Sequence, residues 1–131
     1  PVPLIVGLGK AAEIAGKDHA AREKKCRSFR EKFLQAIGPL QPRIHGEEGQ
    51  VLPHTVNASF PGLSAEEAML RLKDVVAVSN GSACTSASFQ PSHVLKAMHL
   101  GKEEIIGAIR FSWSHLTPDL DWNLLVQRLK N

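Results

Sequence analysis

Two cysteines, six histidines and an arginine isolated on an apolar strand are the residues of this chain whose types could do chemistry. Cys84 stands in Ser79-Asn80-Gly81-Ser82-Ala83-Cys84-Thr85-Ser86-Ala87-Ser88, directly after the apolar run Val75-Val76-Ala77-Val78. Gly, Ser, Ala and Thr have too little side chain to bury a thiol, and Gly81 tolerates backbone angles that other residues avoid. The run predicts an exposed, mobile loop whose thiol acts as a nucleophile or sulfur carrier, because exposure and thiolate character govern cysteine reactivity. An incidental free thiol is the bland alternative. Cys26 differs: it recurs with Phe29, Phe33 and Ile37 at three- and four-residue spacing and reads as a small core hydrophobe.

Arg110, in Ala108-Ile109-Arg110-Phe111-Ser112, is the charge on the polar side of an apolar strand. It is either a solvated surface residue or a carboxylate clamp, since a planar guanidinium binds both carboxylate oxygens. His93 follows the Cys84 segment and His115 follows the Arg110 strand, so either could move a thiol proton. Each of the six histidines is equally a surface or partly buried residue, and no pair has the i, i+4 spacing of a metal site. Asn57-Ala58-Ser59 and Asn80-Gly81-Ser82 match the glycosylation pattern, one in a predicted strand and one in the thiol loop, which makes both accidental matches.

The elements that must position these groups follow from periodicity. Residues 4–37 lack proline and carry two helical stripes, Leu4, Leu8, Ala11, Ala12 and Ala15, then Cys26, Phe29, Phe33 and Ile37. One helix here would be roughly 50 Å long, more than a compact domain needs. Either Gly16 bends it or its first half packs on another body, with the charged residues 17–25 crossing solvent. Gly38-Pro39 ends it. A short strand at 43–45, a turn at 46–50 and an alternating strand at 54–60 follow. Ser64 and Glu67 form a capping box for a helix with Met69, Leu70 and Leu72 buried. Residues 75–78 read as a strand. Pro91 starts a helix with Val94, Leu95 and Met98 inside, 102–107 is a short helix and 108–113 a strand. Thr117-Pro118 opens the last helix, anchored by Leu124, Leu125 and Leu129. The predicted class is α+β: a small, mostly antiparallel sheet with helices on one face.

Composition sets the outer limits. With 131 residues and 43% hydrophobic content the chain fits one domain with a real core. A net charge of +3 is mild. The basic cluster from Arg22 to Arg30 is interrupted by Glu23, Cys26, Ser28 and Phe29, and reads as a solvated helix face rather than a nucleic-acid patch. Two cysteines make no disulfide framework, so a reducing compartment is expected. No run is long and apolar enough to span a bilayer. The opening Pro1-Val2-Pro3-Leu4 lacks an initiator Met, and we expect further sequence upstream.

The stretch from Ser79 to Ser88, followed by Pro91-Ser92-His93-Val94-Leu95, closely resembles the active-site loop of cysteine desulfurases, the NifS/IscS-type enzymes of the class V aminotransferase superfamily. The resemblance covers the chain. Residues 1–9 resemble the segment entering the family's long interdomain helix, Asn57-Ala58-Ser59-Phe60 its Asn-containing strand, and Ile109-Arg110-Phe111-Ser112 its arginine strand. Ser114-His115 stands where Gly-Arg is common, Gln90 and His93 where Glu and Tyr are, His54 where Asn is and His99 where Gly is.

The resemblance implies the small domain of a fold-type I pyridoxal-phosphate enzyme, with residues 1–131 as the C-terminal domain and the large cofactor-binding domain absent. It implies conversion of L-cysteine to L-alanine, with Cys84 as the catalytic residue that takes the sulfur as a persulfide and Arg110 as the substrate-carboxylate ligand. The sulfur would pass to an acceptor protein, an iron–sulfur scaffold or a carrier for other thio-cofactors or thio-nucleic acids. Pyridoxal 5'-phosphate would belong to the full-length enzyme, with none on this fragment, since no lysine here matches the Schiff-base lysine. A cytoplasmic homodimer is expected, with no membrane or direct nucleic-acid partner. The competing classes are a non-catalytic persulfide carrier or protein-binding module, and a mildly basic nucleic-acid-binding domain.

Overall fold

The computed structural model describes residues 1–80 and 92–130. A single helix, α1 (Val2–Ile37), runs for 36 residues without a break at Gly16, about 54 Å at 1.5 Å per residue. A 3-10 turn at Gly38–Leu40 ends it. Three short strands follow in an antiparallel sheet of order β1-β2-β3: β1 (Arg43–His45), β2 (Thr55–Ser59) and β3 (Ile109–Ser112). Between β2 and β3 lie α2 (Ala65–Leu72), α3 (His93–Ala97) and α4 (Lys102–Ile106), and α5 (Trp122–Lys130) closes the chain. This is the α+β arrangement expected from the sequence.

The register separates the two faces of the sheet. Ile44 pairs with Ala58, Ala58 with Ile109 and Val56 with Phe111. Because cross-strand partners share a face, these residues make one apolar side. Cys26, Phe29, Phe33 and Ile37 of α1 join them in the core, with Leu125 and Leu129 of α5. Trp113 sits against Phe29 at 5.1 Å between ring centroids, and Phe33 against Phe111 at 4.8 Å. The indole Nε1–H of Trp113 donates to the Cys26 carbonyl at 3.0 Å, so this buried donor is paired. Cys26 is the small core residue its spacing predicts.

The first half of α1 makes no such core. Residues 1–20 are exposed throughout, including Val2, Leu4, Ile5, Val6 and Leu8. Surface ion pairs stitch the middle: Glu13 with Lys10 and Lys17, Asp18 with Arg22, Glu23 with Arg27. Lys17, then Lys10, hold the Glu13 carboxyl below its ordinary range. The charged cluster is thus mostly the paired, solvated face expected of it. Arg30 departs from that reading: it is buried, donating to the Thr55 carbonyl at 2.9 Å and facing Glu48 at 3.4 Å.

Several local expectations fail for tertiary reasons. Residues 75–78 form no strand; only Ser79 bridges to Arg110, while Val76 and Val78 lean on the core. In α2 the buried side is Ala65, Ala68 and Leu72, and Leu70 is 75% exposed. In α3 only Leu95 is buried. Of the three leucines expected to anchor α5, Leu125 and Leu129 are buried and Leu124 is not. The cap of α5 is Asp121, whose Oδ1 accepts from Leu124 N at 3.0 Å, not Thr117, whose Oγ1 accepts from Ser114 N at 2.8 Å and closes a turn. Ser64 does cap α2, accepting from Glu67 N at 3.2 Å, but the Glu67 carboxylate turns to Arg71, leaving half a capping box.

His99 ends α3 in the left-handed region at φ 57°, a conformation that costs a residue with a Cβ about 1–2 kcal/mol. Glycine avoids that cost but loses more freedom on folding. His99→Gly is expected to stabilise the domain by about 0.5–1 kcal/mol, or roughly 2–5 °C in Tm; an unchanged or lower Tm would show that the His99 side chain contributes more than its strain costs.

Candidate functional site

The second face of the sheet is polar. Arg43 pairs with Ser59, His45 with Asn57, Asn57 with Arg110 and Thr55 with Ser112, so all seven side chains stand on the side away from α1. The alternation of β3 produces this: Ile109, Phe111 and Trp113 take the core, leaving Arg110 and Ser112 on the exposed side. α4 flanks this face through the Arg43–Glu104 ion pair at 3.2 Å. At its end Gly107 must stay glycine, because an added Cβ would lie 2.9 Å from the Leu63 carbonyl oxygen.

Arg110 occupies the middle of a row. On one side lies Asn57 of β2, and beyond it His45 of β1. On the other, Ser79 N donates to the Arg110 carbonyl at 3.2 Å and Arg110 N donates to the Ser79 carbonyl at 2.6 Å. This two-way bridge anchors the chain at the start of the Cys84 stretch beside Arg110. Cys84 itself, with residues 81–91, lies outside the described residues, as does Pro91, the expected helix start. Two predicted features of unrelated position in sequence, the Arg110 strand and the approach to the thiol, are therefore adjacent in space.

His45 was one histidine among six in the sequence, yet it is the one the fold buries. Its Nδ1 is 2.7 Å from Asn57 Oδ1 and its Nε2 is 3.2 Å from Ser59 Oγ. The signal that could have found it is its position in a short strand opposite the Asn57 strand, which only the register reveals. Asn57 lies in β2 with its amide oxygen engaged by this imidazole, which fits the reading of its glycosylation pattern as accidental. His93 is exposed on α3, and His115 borders a recess of about 300 Å³ with Lys25, Lys32 and Asp119. No hydrogen bond joins either to Arg110 among the described residues.

Cysteine desulfurase IscS of Pseudomonas putida (strain W619) is 35% identical over 130 residues, covering 98% of this chain and 32% of that protein. Cysteine desulfurase IscS of Rickettsia massiliae (strain Mtu5) is 42% identical over 121 residues, covering 91% of this chain and 29% of that protein. The chain is homologous, nearly end to end, to part of the NifS/IscS-type cysteine desulfurases. Among solved structures, a NifS-like protein superposes with a TM-score of 0.72 at 27% identity, covering 99% of this chain and 32% of the other. DndA from Streptomyces lividans superposes at 0.63 with 36% identity, covering 87% and 32%. The chain spans about a third of the length of the desulfurases it matches. No family model matches it.

The cofactor that desulfurase kinship implies does not fit the residues described. A Schiff-base lysine must be a neutral amine in a desolvated recess. Every lysine of this chain is exposed. Lys25 and Lys32 border the His115 recess, but the Lys32 ammonium is paired with Asp119 Oδ1 at 3.1 Å. Among the described residues, what the chain offers is an arginine, a polar strand row and the residue that opens the Cys84 stretch.

Proposed function

We propose that this chain is the C-terminal, small domain of a cysteine desulfurase, residues 1–131, and that it supplies the sulfur acceptor and the carboxylate ligand of the active site. The single observation that carries the reading is the 35–42% identity to cysteine desulfurases over nearly the whole chain. The backbone bridge between Arg110 and Ser79 supports it, because it sets the Arg110 strand beside the residue that opens the Cys84 stretch.

Arg110 binds the carboxylate of L-cysteine with its planar fork, which holds the amino acid in one orientation. The Cys84 thiolate then forms an S–S bond to the substrate sulfur as the substrate Cβ–S bond breaks. The electron pair stays on carbon and, after protonation, the product is L-alanine. Cys84 is left as a persulfide, which an acceptor thiol can remove for iron–sulfur cluster or other thio-cofactor and thio-nucleic-acid synthesis. The developing carbon charge needs an electron sink that no described residue provides, so the isolated chain is inactive and pyridoxal phosphate belongs to a large domain. The exposed apolar residues of α1, Val2 to Leu8, suit packing against that domain. A cytoplasmic homodimer completes the proposal.

Reconstitution tests it. This chain combined with a family large domain and given L-cysteine should release alanine and carry one extra sulfur on Cys84 by mass spectrometry. Absence of both would overturn the reading in favour of a non-catalytic carrier or binding module. Arg110→Lys should raise KM for L-cysteine about tenfold or more, because the fork is lost; an unchanged KM would remove the clamp assignment.

A further inference from the structure

We propose that Asn57 is a second donor to the substrate carboxylate beside Arg110, and that His45 is a positioning residue that turns the Asn57 amide toward that role. This deepens the preceding reading and rests on it. Asn57 lies directly opposite Arg110 in the antiparallel pair, where facing Cβ atoms are about 4.5–5.5 Å apart. A carboxylate offers roughly four acceptor positions on its two oxygens. An arginine fork fills two of them, and a side-chain amide on the adjacent strand is within reach of another.

The orientation of that amide decides its chemistry. Its oxygen would repel a carboxylate and its nitrogen would donate to one. An amide oxygen only accepts, so His45 Nδ1 carries a proton and donates to Asn57 Oδ1 at 2.7 Å. The second ring nitrogen meets Ser59 Oγ at 3.2 Å, and a hydroxyl can donate or accept. His45 and Ser59 are 7% and 6% exposed, so packing holds the Ser59–His45–Asn57 chain in place. Among the described residues the Asn57 amide nitrogen has no protein partner, and the side chain is half-buried on the face that carries Arg110. A buried imidazole must be hydrogen-bonded to offset its desolvation, and here one of its bonds fixes the amide that stands opposite the arginine.

The test uses the reconstituted holoenzyme with L-cysteine and with L-cysteinamide, which lacks the carboxylate. Asn57→Ala should raise KM for L-cysteine about tenfold with kcat within about threefold, the loss of one hydrogen bond to a charged group. KM for the amide should stay put, whereas a general structural lesion would move both. Asn57→Asp keeps the shape and the acceptor for His45 but replaces the donor with a negative charge, so its KM should rise further. His45→Ala should raise KM for L-cysteine, and His45→Asn should recover most of it by restoring a donor near the Nδ1 position. Wild-type KM in a folded Asn57→Asp protein, or equal rises for both substrates, would overturn the proposal. If Arg110→Lys alone raises KM, only the Asn57 role fails; if neither does, the clamp itself fails. Should Asn57→Ala not fold, Asn57→Asp decides the matter.

Discussion

Cys84→Ser is expected to abolish the persulfide on the reconstituted enzyme and to lower alanine release on the order of a thousandfold or more. The reason is the difference between the two groups as nucleophiles. A thiol with an ordinary value near 8.5 is partly ionised at neutral pH and its sulfur is polarizable. A serine hydroxyl is not ionised there and forms no S–S bond. The variant differs by one atom, so substrate binding by Arg110 should survive and KM should change little. Cys26→Ser serves as the control: Cys26 is buried against Phe29, and its loss should cost stability while leaving the persulfide. Mass spectrometry of the resting and cysteine-treated proteins reads both. A persulfide found on Cys26, or one persisting in Cys84→Ser, would sink the assignment.

Arg30→Ala should destabilise the domain by about 2–4 kcal/mol, the largest stability effect expected from a single charged residue here. Arg30 lies in the α1 stripe with Cys26, Phe29 and Phe33, and its guanidinium donates to the Thr55 carbonyl at the start of β2. Truncation removes the packed aliphatic stem and leaves that carbonyl without the donor. Its ion pair matters much less, because Glu48 is 81% exposed in its side chain and solvent screens such a pair to about 0–1 kcal/mol. Glu48→Ala should therefore shift the urea midpoint only slightly while Arg30→Ala shifts it strongly. Equal shifts would mean that the pair, and not the backbone bond, fastens β2 to α1.

The elements were legible wherever period and punctuation agreed. The long helix, the alternation of β2 and β3, the short α4 and the cap at Ser64 all follow from local residues, because helix spacing, strand alternation and capping hydroxyls act within a few positions. Residues 75–78 misled for a physical reason: a β-branched apolar run has strand propensity, but a strand needs a partner edge. Here the chain leans its valines on the core and pairs only at Ser79. Thr117 misled similarly, since a threonine before a proline is a cap only if a helix follows at once. The structure spends that hydroxyl on a turn and starts α5 from Asp121. Arg30 and His45 were invisible as buried residues because burial of a charged or titratable side chain depends on what folds over it.

The sequence alone determined the thiol segment, the isolated arginine, the α+β class and the kinship to desulfurases, because these reside in residue type and short-range spacing. Tertiary structure alone decided which polar residues meet. Antiparallel register sets His45, Asn57, Arg110 and Ser79 in one row from four separate stretches of chain. A one-residue slip in any strand would send its side chains to the other face. That register is held by the apolar face packed on α1, so the core that does no chemistry is what aligns the face that can.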